Sequence, residues 1–219
     1  PLRKTSLPRI GSSSPRSPPP PPPPPMEHYY EGIEGWFDYQ DLYSLIVRKH
    51  LLPPNPTIVE VGCYLGKATA HLSTELINTG APFKLVCVDG WDNPDFKDII
   101  DLPVPLQDFK DNIEPSLRNL HRNQSIEARR NLSHLEAKFF ADSSIDFCFI
   151  DACHDYENVR RDIDAWLPKM KPNGIIAGHD FIPHFDGVMK AVRETWPRGV
   201  RISNTAWYVC LQNGVVKEF

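Results

Sequence analysis

The sequence of 219 residues contains 23 prolines and carries a formal net charge of −4. Residues 26–219 alone carry a formal charge of −8, because four basic side chains and no acidic ones lie in the first 25 residues. This acidic balance excludes a nucleic-acid partner, whose recognition requires clustered basic side chains. No stretch approaches the roughly 18 consecutive apolar residues that a membrane span requires, so a membrane partner is excluded as well.

Residues 1–25 are predicted to form a disordered tail, because 11 of the 25 are prolines and little apolar surface is available to offset the entropy of ordering. Eight consecutive prolines, residues 18–25, favour a polyproline II rod. The tail is also compatible with an organelle transit peptide or with a ligand for a proline-binding domain. Since the chain opens on Pro1, Met26 is an alternative start.

Residues 26–219 have the size of one domain. The five cysteines, an odd number, favour reduced thiols. We therefore expect a soluble cytoplasmic protein, or an organellar one where the tail is a transit peptide. A homo-oligomer is compatible with the sequence.

Strand-like and helix-like segments alternate along this domain. Strands are predicted over residues 57–61, 83–88, 125–128, 145–150, 174–177, 200–203 and 207–211. Helices are predicted after Asp38, Asp155 and Asp186, each acting as an N-cap, and over residues 67–77 and 106–120. The alternation predicts an α/β fold: a Rossmann-like, doubly wound, mostly parallel seven-stranded sheet with helices on both faces and a C-terminal antiparallel hairpin.

Acidic and histidine side chains follow several of the predicted strands. In doubly wound folds, ligands bind beyond the carboxyl ends of the strands. Five such residues are expected to surround one crevice there: Glu60, Asp89, Asp151, His179 and Asp180.

The turn after the first strand contains Gly62, Tyr64 and Gly66. Its glycines are separated by three residues where a P-loop has four, and the dinucleotide pattern G-x-G-x-x-G is missing as well. S-adenosylmethionine carries a sulfonium and no phosphate, so the carboxylate of Glu60 beside this turn attracts it. Asp89 is placed to accept hydrogen bonds from ribose hydroxyls. The alternative is that the glycines only relieve a tight turn and Glu60 is solvated.

The segments VEVGCYLGKATAHL, VCVDGW and IDFCFIDACHDYENVRRDIDAWLPKMKPNGIIAGHDF resemble the class I S-adenosylmethionine-dependent methyltransferases. The similarity is to the small branch that includes macrocin O-methyltransferase and cephalosporin-hydroxylase-like proteins, and the earlier segment IEGWFDYQDLY shares it. The resemblance covers nearly all of residues 26–219. It implies a set of cofactor-binding residues: Glu60, Gly62, Tyr64, Gly66, Asp89 and Ser133, the last near the adenine.

Methyl transfer to a hydroxyl requires the acceptor to be positioned and stripped of its proton. Asp151, His179 and Asp180 are candidate ligands for a divalent cation, magnesium or a similar ion, although an imidazole suits a softer metal. The resemblance makes His154 the candidate general base, with Asp151 as the second catalytic residue. Without such roles, His154 would only begin a helix and His179 would be a buried imidazole.

The predicted function is therefore O-methylation of a small-molecule hydroxyl. One alternative is a non-catalytic module that binds the cofactor or a nucleoside and is recruited through the proline-rich tail. A dehydrogenase is a further alternative, which the glycine spacing disfavours.

Overall fold

A computed structural model describes residues 24–49, 51–100 and 102–217. The predicted tail lies outside the described residues except for its last two positions. Among the described helices, none is long and apolar enough to cross a membrane.

A mostly parallel sheet forms the centre of the domain. Its strands are β1 (Thr57–Val61), β2 (Phe83–Asp89), β3 (Gln124–Arg130), β4 (Ile145–Ile150), β5 (Met170–Gly178), β6 (Arg201–Ser203), β7 (Ala206–Gln212) and β8 (Val215–Val216). The order across the sheet is β3-β2-β1-β4-β5-β7-β6, and the two-residue strand β8 pairs with β7. The first five strands pair in parallel, whereas β7 is antiparallel to β5 and β6. The predicted parallel sheet and its C-terminal antiparallel hairpin are confirmed.

Helices cover both faces of the sheet. One face carries α1 (Gln40–Arg48), α2 (Lys67–Asn78) and α3 (Leu106–Arg118), and the other carries α4 (Ser133–Glu136), α5 (Tyr156–Trp166) and α6 (Asp186–Thr195). Each long helix buries a stripe of apolar residues, such as Leu42, Tyr43 and Ile46 of α1. Two hydrophobic cores, one on each face, therefore hold the domain together.

The three predicted helix caps have different outcomes. Asp155 caps α5, since its side chain accepts a hydrogen bond from the amide of Asn158 at 3.0 Å. The predictions for Asp38 and Asp186 were wrong, because α1 and α6 begin after Tyr39 and Phe185, and neither cap residue makes a side-chain cap hydrogen bond. Asp38 instead finds tertiary partners near the end of β5, which a local pattern cannot reveal.

The turn between β1 and α2, residues 62–66, is called the glycine turn below. Gly62 and Gly66 have φ values of +81° and +88°, in the left-handed region that favours glycine. A Cβ atom added to Gly62 would lie 1.7 Å from the carbonyl oxygen of Asp151. The amide of Gly62 also donates to the carbonyl of Val88 at 2.8 Å. The ends of β1, β2 and β4 therefore meet in main-chain contact.

The substitution Gly62→Ala is expected to destabilise the domain by about 3 kcal/mol or more, because the new methyl group overlaps a main-chain carbonyl that cannot rotate away. Gly80→Ala is the matched control: Gly80 also has a positive φ, +67°, but has open space around it. Gly80→Ala should lower the free energy of unfolding by only about 1 kcal/mol, which is the cost of the left-handed backbone for a residue with a side chain. Urea unfolding measures both free energies, and equal losses would contradict the steric argument.

Candidate active site

Asp89 lies at the end of β2, beside the glycine turn, with its carboxylate fixed by main-chain amides. The amide of Tyr64 donates to one oxygen and the amide of Trp91 to the other, both at 2.8 Å. The indole of Trp91 in turn donates to the carbonyl of Tyr64 at 2.8 Å. Burial raises the pKa of Asp89, and the amide hydrogen bonds oppose that effect. Each carboxylate oxygen keeps a lone pair that can accept a hydrogen bond from a ribose hydroxyl.

Glu60 lies beneath the crevice, against α1 and α2, and not in it. Its side chain is 1% exposed and accepts hydrogen bonds from the hydroxyls of Tyr43, at 2.8 Å, and Thr69. Successive side chains of a strand point to opposite faces, and Val59 and Val61 occupy the other face. The predicted contact of Glu60 with the cofactor stays a prediction, and a contact through the carboxylate would require these two hydrogen bonds to rearrange. Burial raises the pKa of Glu60 to about 7.

Ser133 begins α4, and its hydroxyl oxygen accepts a hydrogen bond from the indole of Trp166 at 2.9 Å. The hydroxyl is thus used in the contact between α4 and α5. The predicted place of Ser133 near the adenine stays a prediction, and a contact through the hydroxyl would require this bond to break.

Four predicted residues converge where β4 and β5 end: Asp151, His154, His179 and Asp180, called the His–Asp cluster below. His154 Nε2 lies 2.9 Å from Asp180 Oδ2 and 3.8 Å from Asp151 Oδ1. His179 Nδ1 lies 3.5 Å from Asp151 Oδ1 and 3.4 Å from Asp180 Oδ1. Asp180 has a φ of +59°, an uncommon conformation for a residue with a side chain. The structure therefore brings together the residues that the sequence assigned to catalysis and metal binding.

The charges of the His–Asp cluster stabilise one another. Hydrogen bonds to Asp151 and Asp180 raise the pKa of His154 to about 10. Burial lowers the pKa of His179, but its carboxylate partners outweigh burial and raise it to about 9. Burial raises the pKa of Asp151, and hydrogen bonds from both histidines outweigh this and lower it to about 2. Without a cation, the carboxylates therefore favour the protonated form of both imidazoles, and a cation bound at Nδ1 of His179 would take the place of the proton there.

The predicted role of His154 as general base stays a prediction. A general base must offer a free lone pair, whereas the nearby carboxylates raise the pKa of His154 and Nε2 lies 2.9 Å from Asp180 Oδ2. His154 can accept a proton only after its bond to Asp180 is broken.

Three members of the cluster could hold a metal ion. Asp151, His179 and Asp180 each offer a ligand atom within 4.8 Å of the others. Two carboxylates and one imidazole suit a divalent cation, and the imidazole shifts the preference from magnesium towards manganese, iron or zinc.

Three residues that touch the cluster were not predicted as site residues. Asp38 and Thr205 contact His179 Nε2 at 3.0 and 2.9 Å. The hydroxyl of Tyr39 donates to Asp151 Oδ2 at 3.1 Å. For Asp38 and Tyr39 the sequence signal was the resemblance of the segment IEGWFDYQDLY, which contains both, and Thr205 had no such signal.

The parallel sheet, the glycine turn with Asp89, and the His–Asp cluster beside it define a class I S-adenosylmethionine-dependent methyltransferase. A family model described as a methyltransferase domain matches residues 59–181, more than half of the chain. The chain belongs to this family.

Solved structures with the same fold include several O-methyltransferases. The O-methyltransferase NovP is 12% identical, with a TM-score of 0.59 over 80% of this chain and 79% of that chain. An O-methyltransferase from Bacillus cereus in complex with SAH is 18% identical, with a TM-score of 0.51 over 79% of this chain and 80% of that one. A TDP-rhamnose 3'-O-methyltransferase of calicheamicin biosynthesis is 15% identical, with a TM-score of 0.51 over 78% and 77% of the two chains. No curated protein matches the sequence.

The pH dependence of stability should report the buried Glu60. Its pKa is about 7 in the folded state and about 4.5 in the unfolded state, so the folded state holds the extra proton between these values. The contribution of Glu60 to the free energy of unfolding therefore falls by about 3 kcal/mol as the pH rises from 4.5 to 7. Glu60→Gln should lack this fall, so the difference in unfolding free energy between wild type and variant should change by about 3 kcal/mol across that range, measured by urea unfolding. The exposed Glu31→Gln should leave the pH profile unchanged, and a slope equal to the wild type in Glu60→Gln would contradict the assignment.

Proposed function

We propose that this methyltransferase transfers the methyl group of S-adenosylmethionine to a hydroxyl oxygen of a small-molecule acceptor, assisted by a divalent cation at Asp151, His179 and Asp180. The observation that carries the proposal is the His–Asp cluster, which lies in direct contact with the glycine turn through Gly62 and the carbonyl of Asp151. Cofactor and acceptor sites then adjoin at one edge of the sheet. The O-methyltransferases that share the fold support this assignment.

The cofactor half of the site uses Asp89 and the glycine turn. Because two main-chain amides already orient the carboxylate of Asp89, ribose hydroxyls can bind it without further rearrangement. The acidic charge of the domain favours the cationic cofactor over its neutral product.

The acceptor half uses the His–Asp cluster. An unperturbed hydroxyl is a weak nucleophile, and a divalent cation, when bound, would lower the pKa of a hydroxyl as it does that of water. Asp151, His179 and Asp180 would hold the cation. Tyr39 donates to Asp151 Oδ2, which leaves Oδ1 directed at His179 and the centre of the cluster.

His154 is the member of the cluster best placed to touch the acceptor. Its side chain is 42% exposed, whereas those of Asp151 and Asp180 are 17% and 10% exposed. In the protonated state His154 can donate a hydrogen bond to the acceptor oxygen and orient it. Removal of a proton by His154 would first require the bond to Asp180 to break.

Titration calorimetry with S-adenosylhomocysteine, followed by transfer of labelled methyl groups to a panel of sugars, catechols and other phenols, tests the proposal. We expect one binding site per chain and transfer to at least one hydroxyl compound. A chelator should abolish transfer, and manganese should restore it.

Each negative result has a separate meaning. Absence of binding would overturn the whole proposal, and binding without transfer across the panel would favour a non-catalytic cofactor-binding module. Transfer that survives the chelator would remove the cation from the proposal.

His154→Ala should lower turnover by about 100-fold or more, because it removes a polar contact to the reacting oxygen. The affinity for S-adenosylhomocysteine should stay within about twofold, since His154 lies on the acceptor side of the crevice. His121→Ala, at an exposed histidine before β3, is the matched control and should behave as the wild type. Unchanged turnover in His154→Ala would exclude His154 from the reaction.

A further inference from the structure

The segment before α1, residues 33–39 and called the strap below, is tied to the β6–β7 turn and to His179. The side-chain amide of Asn204 donates to the main-chain carbonyl of Asp38 at 2.8 Å. The hydroxyl of Thr205 lies 2.5 Å from Asp38 Oδ1, which is also 3.0 Å from His179 Nε2. The strap thus places a carboxylate behind the imidazole, on the side away from Asp151 and Asp180.

These contacts determine which nitrogen of His179 keeps a proton. A carboxylate only accepts hydrogen bonds, so the Thr205 hydroxyl donates to Asp38. With its hydrogen used there, the Thr205 oxygen can only accept from His179 Nε2, 2.9 Å away. Both partners of Nε2 are therefore acceptors, and Nε2 carries a proton.

The other nitrogen, Nδ1, faces the candidate metal ligands. It lies 3.5 Å from an oxygen of Asp151 and 3.4 Å from an oxygen of Asp180. When a cation displaces the proton from Nδ1, the proton that stays on Nε2 leaves the lone pair of Nδ1 available to the cation at this point. Carboxylates that bind the far nitrogen of a metal-ligating histidine orient the ring and strengthen it as a ligand.

We propose that Asp38 is a positioning residue of the cation site: acting through His179, it keeps the proton on Nε2 and directs the Nδ1 lone pair between Asp151 and Asp180. This inference rests on the cation of the proposed function. It adds to that function a residue from the strap, 141 positions away from its partner along the chain.

Thr205 alone cannot replace Asp38. Without the carboxylate, the Thr205 hydroxyl is free to rotate and donate to Nε2. That arrangement favours a proton on Nδ1, where the cation would bind, so two tautomers would compete. An asparagine at position 38 keeps a carbonyl oxygen that can accept from Nε2, and it preserves most of the effect.

The affinity of the full chain for Mn²⁺ and Zn²⁺, measured by titration calorimetry, tests the proposal. Asp38→Ala should weaken binding by about 10- to 100-fold. Asp38→Asn should lose no more than about threefold, because it keeps the acceptor.

Asp41→Ala is the matched control for charge. Asp41 is exposed and lies three residues further along, and the described residues give it no hydrogen bond or ion pair. Its removal deletes the same negative charge and should change metal affinity by no more than about twofold. The affinity for S-adenosylhomocysteine should be the same in all variants, which shows that the fold is intact.

The outcomes distinguish a failure of this inference from a failure of the proposed function on which it rests. Equal metal affinity in the wild type and Asp38→Ala overturns the inference alone, and so does an equal loss in Asp38→Ala and Asp41→Ala, which would indicate a general effect of charge. A wild-type chain that binds S-adenosylhomocysteine but neither metal overturns both the cation of the proposed function and the inference, and leaves the methyltransferase assignment standing.

Discussion

The close approach of Gly62 to the carbonyl of Asp151 is the contact on which the site depends. Parallel strands already bring their carboxyl ends to one edge of the sheet. The contact at Gly62 adds a direct main-chain approach, because the absence of a side chain lets the glycine turn lie against the end of β4. The amide of Asp151 also donates to the carbonyl of Val61 at 2.8 Å. The separation of cofactor turn and His–Asp cluster is thus set by the main chain, which holds position better than mobile side chains.

The parts of the fold that could be predicted are those whose signals are local. The run Ile145–Ile150 is apolar at almost every position because both faces of β4 are buried, and its predicted bounds agree with the strand. Asp155 caps the helix that follows it within three residues. The burial of Glu60 was predictable in principle, since its alternation with Val59 and Val61 places it on the opposite face of the sheet from theirs. The interpretation of the sequence considered only the attraction of a carboxylate for a cationic cofactor.

The remaining features depend on partners that are distant in the sequence. Asp38 reads locally as a helix cap, and only the folded chain brings it to His179 and Thr205. The pKa of His154 depends on Asp180, which lies 26 residues later in the sequence. The order of the strands predicts that the two residues are near each other, but not the distance between their side-chain atoms. The sequence therefore identified the four members of the His–Asp cluster, whereas the contact of Asp38 with His179 and the direction in which each proton is donated require the geometry.

The composition of the proposed cation site explains why a histidine stands where a third acid would also fit. Two carboxylates, Asp151 and Asp180, balance the charge of a divalent cation, and the neutral imidazole of His179 adds a ligand without adding charge. A third carboxylate in contact with the cation would leave the site negative and desolvated. Asp38 places that negative charge on the far side of the ring, where its side chain is 48% exposed to solvent. The imidazole of His179 then transmits part of the effect of the Asp38 charge to the cation, while the Asp38 carboxylate itself stays hydrated.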